Sequence, residues 1–322
     1  MARDCSRTSI GCAPLSDLGT GTYQGHQGGL YPNGSNYRPL AHETIGRHRA
    51  GEVVPRLADG TPDAAGIVGL VMLGHSTAHK VADQLGPMVD LTPKKWDKLV
   101  PVNACVAGRN SDDLDAITKP YWTTEVPAAL SAAGVTKEQV QVAWMCGGIN
   151  PMPVAWPDSI DYLKAILVDV AQTTLAFFQN LKQLYVCLPA YHGYKGVPYA
   201  EPMLYEQHFA VKALIEAQIN DDPALNCCRP STPIVAPWLS WGGDLWCDGM
   251  NPRASDGLTC HCPTDVDNQG VHPVPAYAAV LADIVLDQFK ADACCHPWFY
   301  GEPLPGAGGT PTPPGDTGSL GG

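Results

Sequence analysis

A serine at position 76 follows a continuous apolar run, Ile67-Val-Gly-Leu-Val-Met-Leu73, in the turn Gly74-His75-Ser76-Thr77-Ala78. At a strand-to-helix turn its hydroxyl is exposed, and its amide lies at a helix N-terminus, which favours an anion that develops during reaction. Taken alone, the same serine is a helix cap. His75 is next in sequence, but an extended backbone turns its side chain elsewhere. Gly108, in Val106-Ala-Gly108-Arg-Asn110, can aim an amide at a substrate oxygen or make an ordinary turn. Asn150, in Gly147-Gly-Ile-Asn150-Pro151, is a neutral donor suited to an oxyanion, or an Asx-turn before proline. His272, in Asp265-Val-Asp-Asn-Gln-Gly-Val-His272-Pro273, can act as a general base with a nearby aspartate holding its ring. The chain holds 10 histidines, so position alone assigns His272 nothing.

The pattern of the chain supplies elements to carry these residues. The apolar run at 67–73 is bounded by glycines and reads as a strand buried on both faces, as in a parallel sheet. Further strands are predicted at 99–103, 140–145 and 183–188. Helices are predicted over 77–85, 124–133, 159–178, 206–220 and 276–290. Strands alternating with helices give an α/β fold with a parallel sheet. In such a sheet ligands bind beyond the carboxyl ends of the strands. Ser76, Gly108 and Asn150 each follow a predicted strand, and His272 precedes the last helix. Residues 1–60 read as an irregular extension packed on the core, with no helical period in the first 50. Residues 1–301 are expected to form one domain. The segment 302–322, rich in Pro and Gly, has the composition of a flexible tail or linker.

The order Ser, Gly, Gly-x-Asn, then His-Pro before a final helix is more specific than any of its parts. It resembles the SGNH hydrolase superfamily, the GDSL-like esterases and lipases, over residues 60–290. Tyr23-Gln-Gly-His-Gln-Gly-Gly-Leu-Tyr-Pro-Asn-Gly34, Glu201-Pro-Met-Leu-Tyr-Glu-Gln-His-Phe-Ala-Val-Lys212 and Ala236-Pro-Trp-Leu-Ser-Trp-Gly-Gly-Asp244 are similar to a secreted bacterial subgroup of it. The resemblance implies a three-layer α/β/α fold with a mainly parallel, flavodoxin-like sheet. It makes Ser76 the nucleophile and His272 the base, and it places the oxyanion hole at Ser76, Gly108 and Asn150. It calls for no cofactor. Two blocks depart from the family pattern. Gly-Asp-Ser is here Gly74-His75-Ser76, and the usual Asp-x-x-His has Gln269 three residues before His272. Asp267 is then the first choice to orient His272, with Asp265 or a backbone carbonyl as alternatives. The implied activity is hydrolysis of small acyl esters, acetyl esters on carbohydrate first among them.

Composition narrows the partners. With 20 Lys+Arg against 32 Asp+Glu the net charge is −12, which disfavours nucleic acid. The longest apolar stretch, 66–73, is strand length and far short of the ~18 residues that span a bilayer, so no membrane partner is expected. The 12 cysteines include no CxxC and fit disulfides in an oxidising compartment, secreted or periplasmic. Eight Trp and 12 Tyr include Trp238, Trp241, Trp246, Trp298 and Tyr300, which suit either core packing or a sugar-binding face. Three other readings compete. Gly74-His-Ser-Thr-Ala78 nearly fits the Gly-x-Ser-x-Gly elbow of α/β-hydrolases, which needs several strands before it and an acid such as Asp244 or Asp248. Cys260-His261-Cys262 with Cys247 or His272 offers zinc ligands, though two cysteines around one histidine are too close for a usual tetrahedral chelate. A non-catalytic carbohydrate-binding or structural protein on the same scaffold is the third.

Overall fold

The computed structural model, which describes residues 2–195, 201–229 and 232–303, places a five-stranded sheet at the centre of the chain. After helix α1 (Leu40–Gly51) come β1 (Val68–Gly74), α2 (Ser76–Leu91), β2 (Leu99–Asn103), α3 (Val126–Ala132) and β3 (Val140–Cys146). Then follow α4 (Ser159–Phe177), β4 (Gln183–Cys187), α5 (Met203–Ile219), β5 (Trp238–Trp241), α6 (Pro275–Ala291) and α7 (His296–Tyr300). All neighbouring strands are parallel, in the order β2-β1-β3-β4-β5. This is the flavodoxin-like order, with its reversal between β1 and β3.

Every residue of β1, β3, β4 and β5 is buried, which is why their sequences run apolar without alternation. With β2 on one side of β1 and β3, β4 and β5 on the other, the right-handed connections that parallel strands require place α2 on one face and the helices that follow β2, β3 and β4 on the other. α6 returns to pack on α2, while α4 packs on α5. The result is the expected three-layer α/β/α arrangement. Each fully buried Val or Leu of the central strands contributes about 1.5–3 kcal/mol relative to exposure. Among the described residues no helix is long and apolar enough to cross a membrane.

Several expectations need correction. Residues 1–60 are not wholly irregular, because α1 spans twelve of them. Its buried face is His42, Gly46, Arg49 and Ala50, a helical period written in residues that are mostly not apolar. Gly46 is required there, since a β-carbon would stand 2.3 Å from the Trp238 ring. The fifth strand, Trp238–Trp241, was not predicted; it is four residues long and lies between Pro237 and Gly242. α2 runs to Leu91, straight through Pro87, where the sequence suggested a stop at 85. Trp238, Trp241, Trp246 and Trp298 are each at most 2% exposed, so they fill the core and offer no sugar-binding face. One disulfide forms, Cys5–Cys262, and the other ten cysteines are free. The tail expected at 302–322 lies almost entirely outside the described residues.

The bridge fastens an N-terminal strap. Arg3 donates through its amide to the Asn268 carbonyl (3.0 Å) and through its guanidinium to the Val266 carbonyl (3.1 Å). The Asp4 amide donates to the Tyr194 carbonyl (2.8 Å), Arg7 donates to the Lys195 carbonyl (3.1 Å), and the Ile10 amide to Asp248 (2.7 Å). Residues 3–10 thus clamp the loops at 191–195 and 262–268. Replacing Cys5 by Ser is expected to lower stability by about 2–5 kcal/mol, read as a fall in Tm. An unchanged Tm would show that the hydrogen bonds alone hold the strap.

Candidate active site

The turn after β1 is set by a close approach. Gly74 has φ +133°, and a β-carbon on it would lie 2.0 Å from the carbonyl oxygen of Cys146 at the end of β3. Its amide donates to the Tyr121 hydroxyl (3.0 Å), which itself donates to the Ala104 carbonyl after β2 (3.0 Å). His75 caps α2 by accepting from the Thr77 amide at Nδ1 (3.2 Å). Ser76 then stands as the first residue of α2.

The loops after β2 and β3 are joined to each other. The Ser111 amide donates to the Gly148 carbonyl (2.9 Å), and the Gly148 amide donates back to Ser111 Oγ (2.8 Å). The Asn150 amide donates to Asn110 Oδ1 (3.3 Å). Asn110 is in turn fixed by Asp113, whose carboxylate accepts from the Asn110 amide (2.9 Å). Gly108 holds φ +81°, a conformation that favours glycine, although its β-carbon would meet nothing within 4 Å. Arg109 beside it is paired with Glu125.

His272 reaches Ser76 from the loop before α6. Its Nε2 lies 2.8 Å from Ser76 Oγ, and its Nδ1 lies 2.9 Å from Asp267 Oδ2. A carboxylate at Nδ1 places the ring proton there and leaves the Nε2 lone pair facing the serine hydroxyl. Asp267 gets within reach because the loop folds back on itself. The Asp267 amide donates to the His272 carbonyl (2.9 Å), and the Gly270 amide to the Asp267 carbonyl (3.0 Å). Asp267 Oδ1 accepts from the amides of Gln269 (3.0 Å) and Val271 (3.2 Å). Burial alone would raise this carboxyl. Its hydrogen bonds to His272 and the Val271 and Gln269 amides outweigh that and hold it below the ordinary aspartate value.

Ser76, Gly108 and Asn150 line one pocket of about 200 Å³, bounded also by Leu204 and Val271. The competing candidates lie elsewhere or are engaged. Asp265 accepts from the His261 amide (2.6 Å). Asp244 accepts from Ser16 (2.5 Å) and lies 3.6 Å from Arg253, and Asp248 accepts from Ser9 (2.5 Å) and the Ile10 amide (2.7 Å). Ser76 follows the first strand of the sheet, so the α/β-hydrolase elbow does not apply. Cys262 is bonded to Cys5, which removes it from the zinc reading. His75 does not point away as expected; it lines the pocket beside Ser76. Burial and the nearby His272 push it down to about 4, so it is neutral at pH 7. Sequence reasoning missed Asn110, Ser111 and His192. Asn110 and Ser111 carried a turn signal only, and His192 stood in no motif.

No protein-family model matches the chain, and the comparison with curated proteins gives no match. Among solved structures it is similar to a protein named for platelet activating factor from Streptococcus pneumonia, at 12% identity and TM-score 0.41, over 77% of this chain and 91% of that one. It is also similar to two proteins named as GDSL-like lipases. One, from Parabacteroides merdae, shows 11% identity and TM-score 0.34 over 68% of this chain and 94% of that one. The other, from Bacteroides thetaiotaomicron, shows 10% identity and TM-score 0.37 over 78% of this chain and 98% of that one.

The depressed Asp267 carboxyl has a stability signature. Its folded value lies below the unfolded value of about 3.9, so its contribution is complete above that pH and is lost as pH falls through the folded value. Asp267→Asn is therefore expected to melt below wild type at pH 7, with a Tm gap that narrows as the pH falls below the ordinary aspartate value. A gap independent of pH would show that the ionised carboxylate is not what holds the loop.

Proposed function

We propose that the protein is a serine esterase that hydrolyses small acyl esters, acetyl esters on carbohydrate first among them, through an acyl-enzyme. The observation that carries this reading is the continuous line Ser76 Oγ, His272 Nε2, His272 Nδ1, Asp267 Oδ2, with spacings of 2.8 and 2.9 Å. His272 accepts the Ser76 proton as Oγ attacks the ester carbonyl carbon. Asp267 stays ionised and stabilises the imidazolium. The amides of Ser76 and Gly108 and the Asn150 side chain stabilise the tetrahedral oxyanion, and losing one donor raises the barrier by about 3 kcal/mol. His272 then gives its proton to the departing alcohol oxygen. Water, deprotonated by His272, clears the acyl group and restores the Ser76 hydroxyl.

The size of the pocket supports a short acyl group. About 200 Å³ walled by Leu204 and Val271 leaves little room for a long chain. The Cys5–Cys262 bridge supports residence in an oxidising compartment outside the cytosol.

The test is hydrolysis of p-nitrophenyl acetate and acetylated xylan by wild type, Ser76→Ala and Asp267→Asn. Ser76→Ala is expected to lose on the order of 10⁴-fold or more in kcat, and Asp267→Asn up to about 10⁴-fold. Longer p-nitrophenyl esters should be turned over progressively less well. Turnover undiminished in Ser76→Ala would overturn the assignment.

A further inference from the structure

We propose that His192 is a specificity-determining residue that hydrogen-bonds a hydroxyl of the substrate close to the scissile ester, so that esters of polyhydroxy alcohols are preferred over plain alkyl esters. This rests on the esterase reading above. His192 lies on the loop after β4 and lines the same pocket as Ser76. It is 2% exposed. Its Nε2 is 3.5 Å from Oγ1 of Thr77, the residue after Ser76. Its Nδ1 is buried and has no hydrogen-bond partner among the described residues. Buried polar atoms are nearly always paired, so an orphan beside a catalytic serine points to a partner supplied by the ligand.

The loop that carries His192 is held in place. Glu201 accepts from the His192 amide (3.1 Å), from Trp246 Nε1 (2.8 Å) and from the Tyr205 amide (2.8 Å). The ring is therefore presented by a braced backbone. Burial, with smaller contributions from His75, His272 and Lys195, pushes His192 down to about 3, and the ring is neutral at pH 7. A neutral imidazole carries one N–H and one lone pair. If Nε2 accepts from Thr77, Nδ1 donates; if Nε2 donates to Thr77 Oγ1, Nδ1 accepts. A hydroxyl satisfies either state, whereas a carboxylate or an ammonium satisfies only one. His192 is not in the Ser76–His272–Asp267 line, so its part is to position substrate.

The experiment compares kcat/KM on ethyl acetate and glycerol monoacetate, which share the acyl group, for wild type, Ser76→Ala, His192→Phe and His192→Asn at pH 7. Wild type is expected to favour glycerol monoacetate by about 10- to 100-fold, because a site that hydrogen-bonds a substrate hydroxyl rejects the analogue lacking it. His192→Phe should bring the ratio near unity, mainly through KM for the hydroxylated ester. His192→Asn, which keeps a polar atom, should recover part of it. Should His192→Phe fail to fold, the wild-type ratio and His192→Asn decide. Turnover that depends on Ser76, with a wild-type ratio near unity or a ratio unmoved in folded His192→Phe, overturns this inference and leaves the esterase reading standing. The absence of Ser76-dependent turnover of either ester removes the esterase reading and this inference with it.

Discussion

A β-carbon on residue 74 would stand 2.0 Å from the carbonyl oxygen of Cys146, and the site depends on its absence. Gly74 ends β1 and Cys146 ends β3, the two strands between which the sheet order reverses. Crossovers leaving in opposite directions from that point open a crevice at the carboxyl ends. The close approach keeps the crevice narrow, so Ser76 and Asn150 are delivered from neighbouring strand ends rather than from free loops. The reciprocal bonds between Ser111 and Gly148 and the Tyr121 hydroxyl between Gly74 and Ala104 extend the same rigidity to the loop carrying Gly108. In the proposed esterase reading, donors to a developing charge gain their effect from being fixed beforehand. These contacts do the fixing with backbone and buried side chains.

Opposite this crevice, His272 comes from a loop that compensates for an unusual spacing. Four residues stand between Asp267 and His272, yet Nδ1 and the carboxylate are 2.9 Å apart. The loop closes through Asp267 itself, which uses its amide, its carbonyl and both carboxylate oxygens. Gly270 is needed at φ +72°, where a β-carbon would approach the Tyr194 carbonyl to 2.7 Å. One residue thus shapes the loop and orients the ring. The N-terminal strap braces the outer side of the loop at Val266 and Asn268 and, through the Cys5–Cys262 bridge, just ahead of it.

What could be read from the sequence follows from how each feature is encoded. β1 and β3 were legible because burial on both faces demands an unbroken apolar run, and Ser76 was legible because it follows one. His272 was legible only through the order of the blocks, as the His-Pro that follows Ser, Gly and Gly-x-Asn and precedes the final helix. Asp267 was chosen among alternatives, because spacing alone cannot show a loop folding back. α1 was illegible, since its inward face is His42, Gly46, Arg49 and Ala50 and its fit depends on a tryptophan nearly 200 residues away. β5 was illegible because four residues between proline and glycine carry too little pattern. The tryptophans read as core or as a binding face, core first, and their burial decides for core. Asn110, Ser111 and His192 act through contacts distant in sequence, which no local pattern records.

The three imidazoles around Ser76 take separate parts according to their surroundings. His192 is buried and His75 partly so, neither ring has a carboxylate bonded to it, and they are pushed down to about 3 and about 4. At neutral pH they stay uncharged and serve as hydrogen-bonding groups, His75 as the cap of α2. His272 alone has a carboxylate against Nδ1. In the proposed esterase reading, a proton taken from Ser76 would leave a positive charge paired with Asp267. Here a single residue type supplies the cap of α2, the ring that joins Ser76 to Asp267 and a wall of the pocket, and the position of Asp267 sets the second apart from the other two.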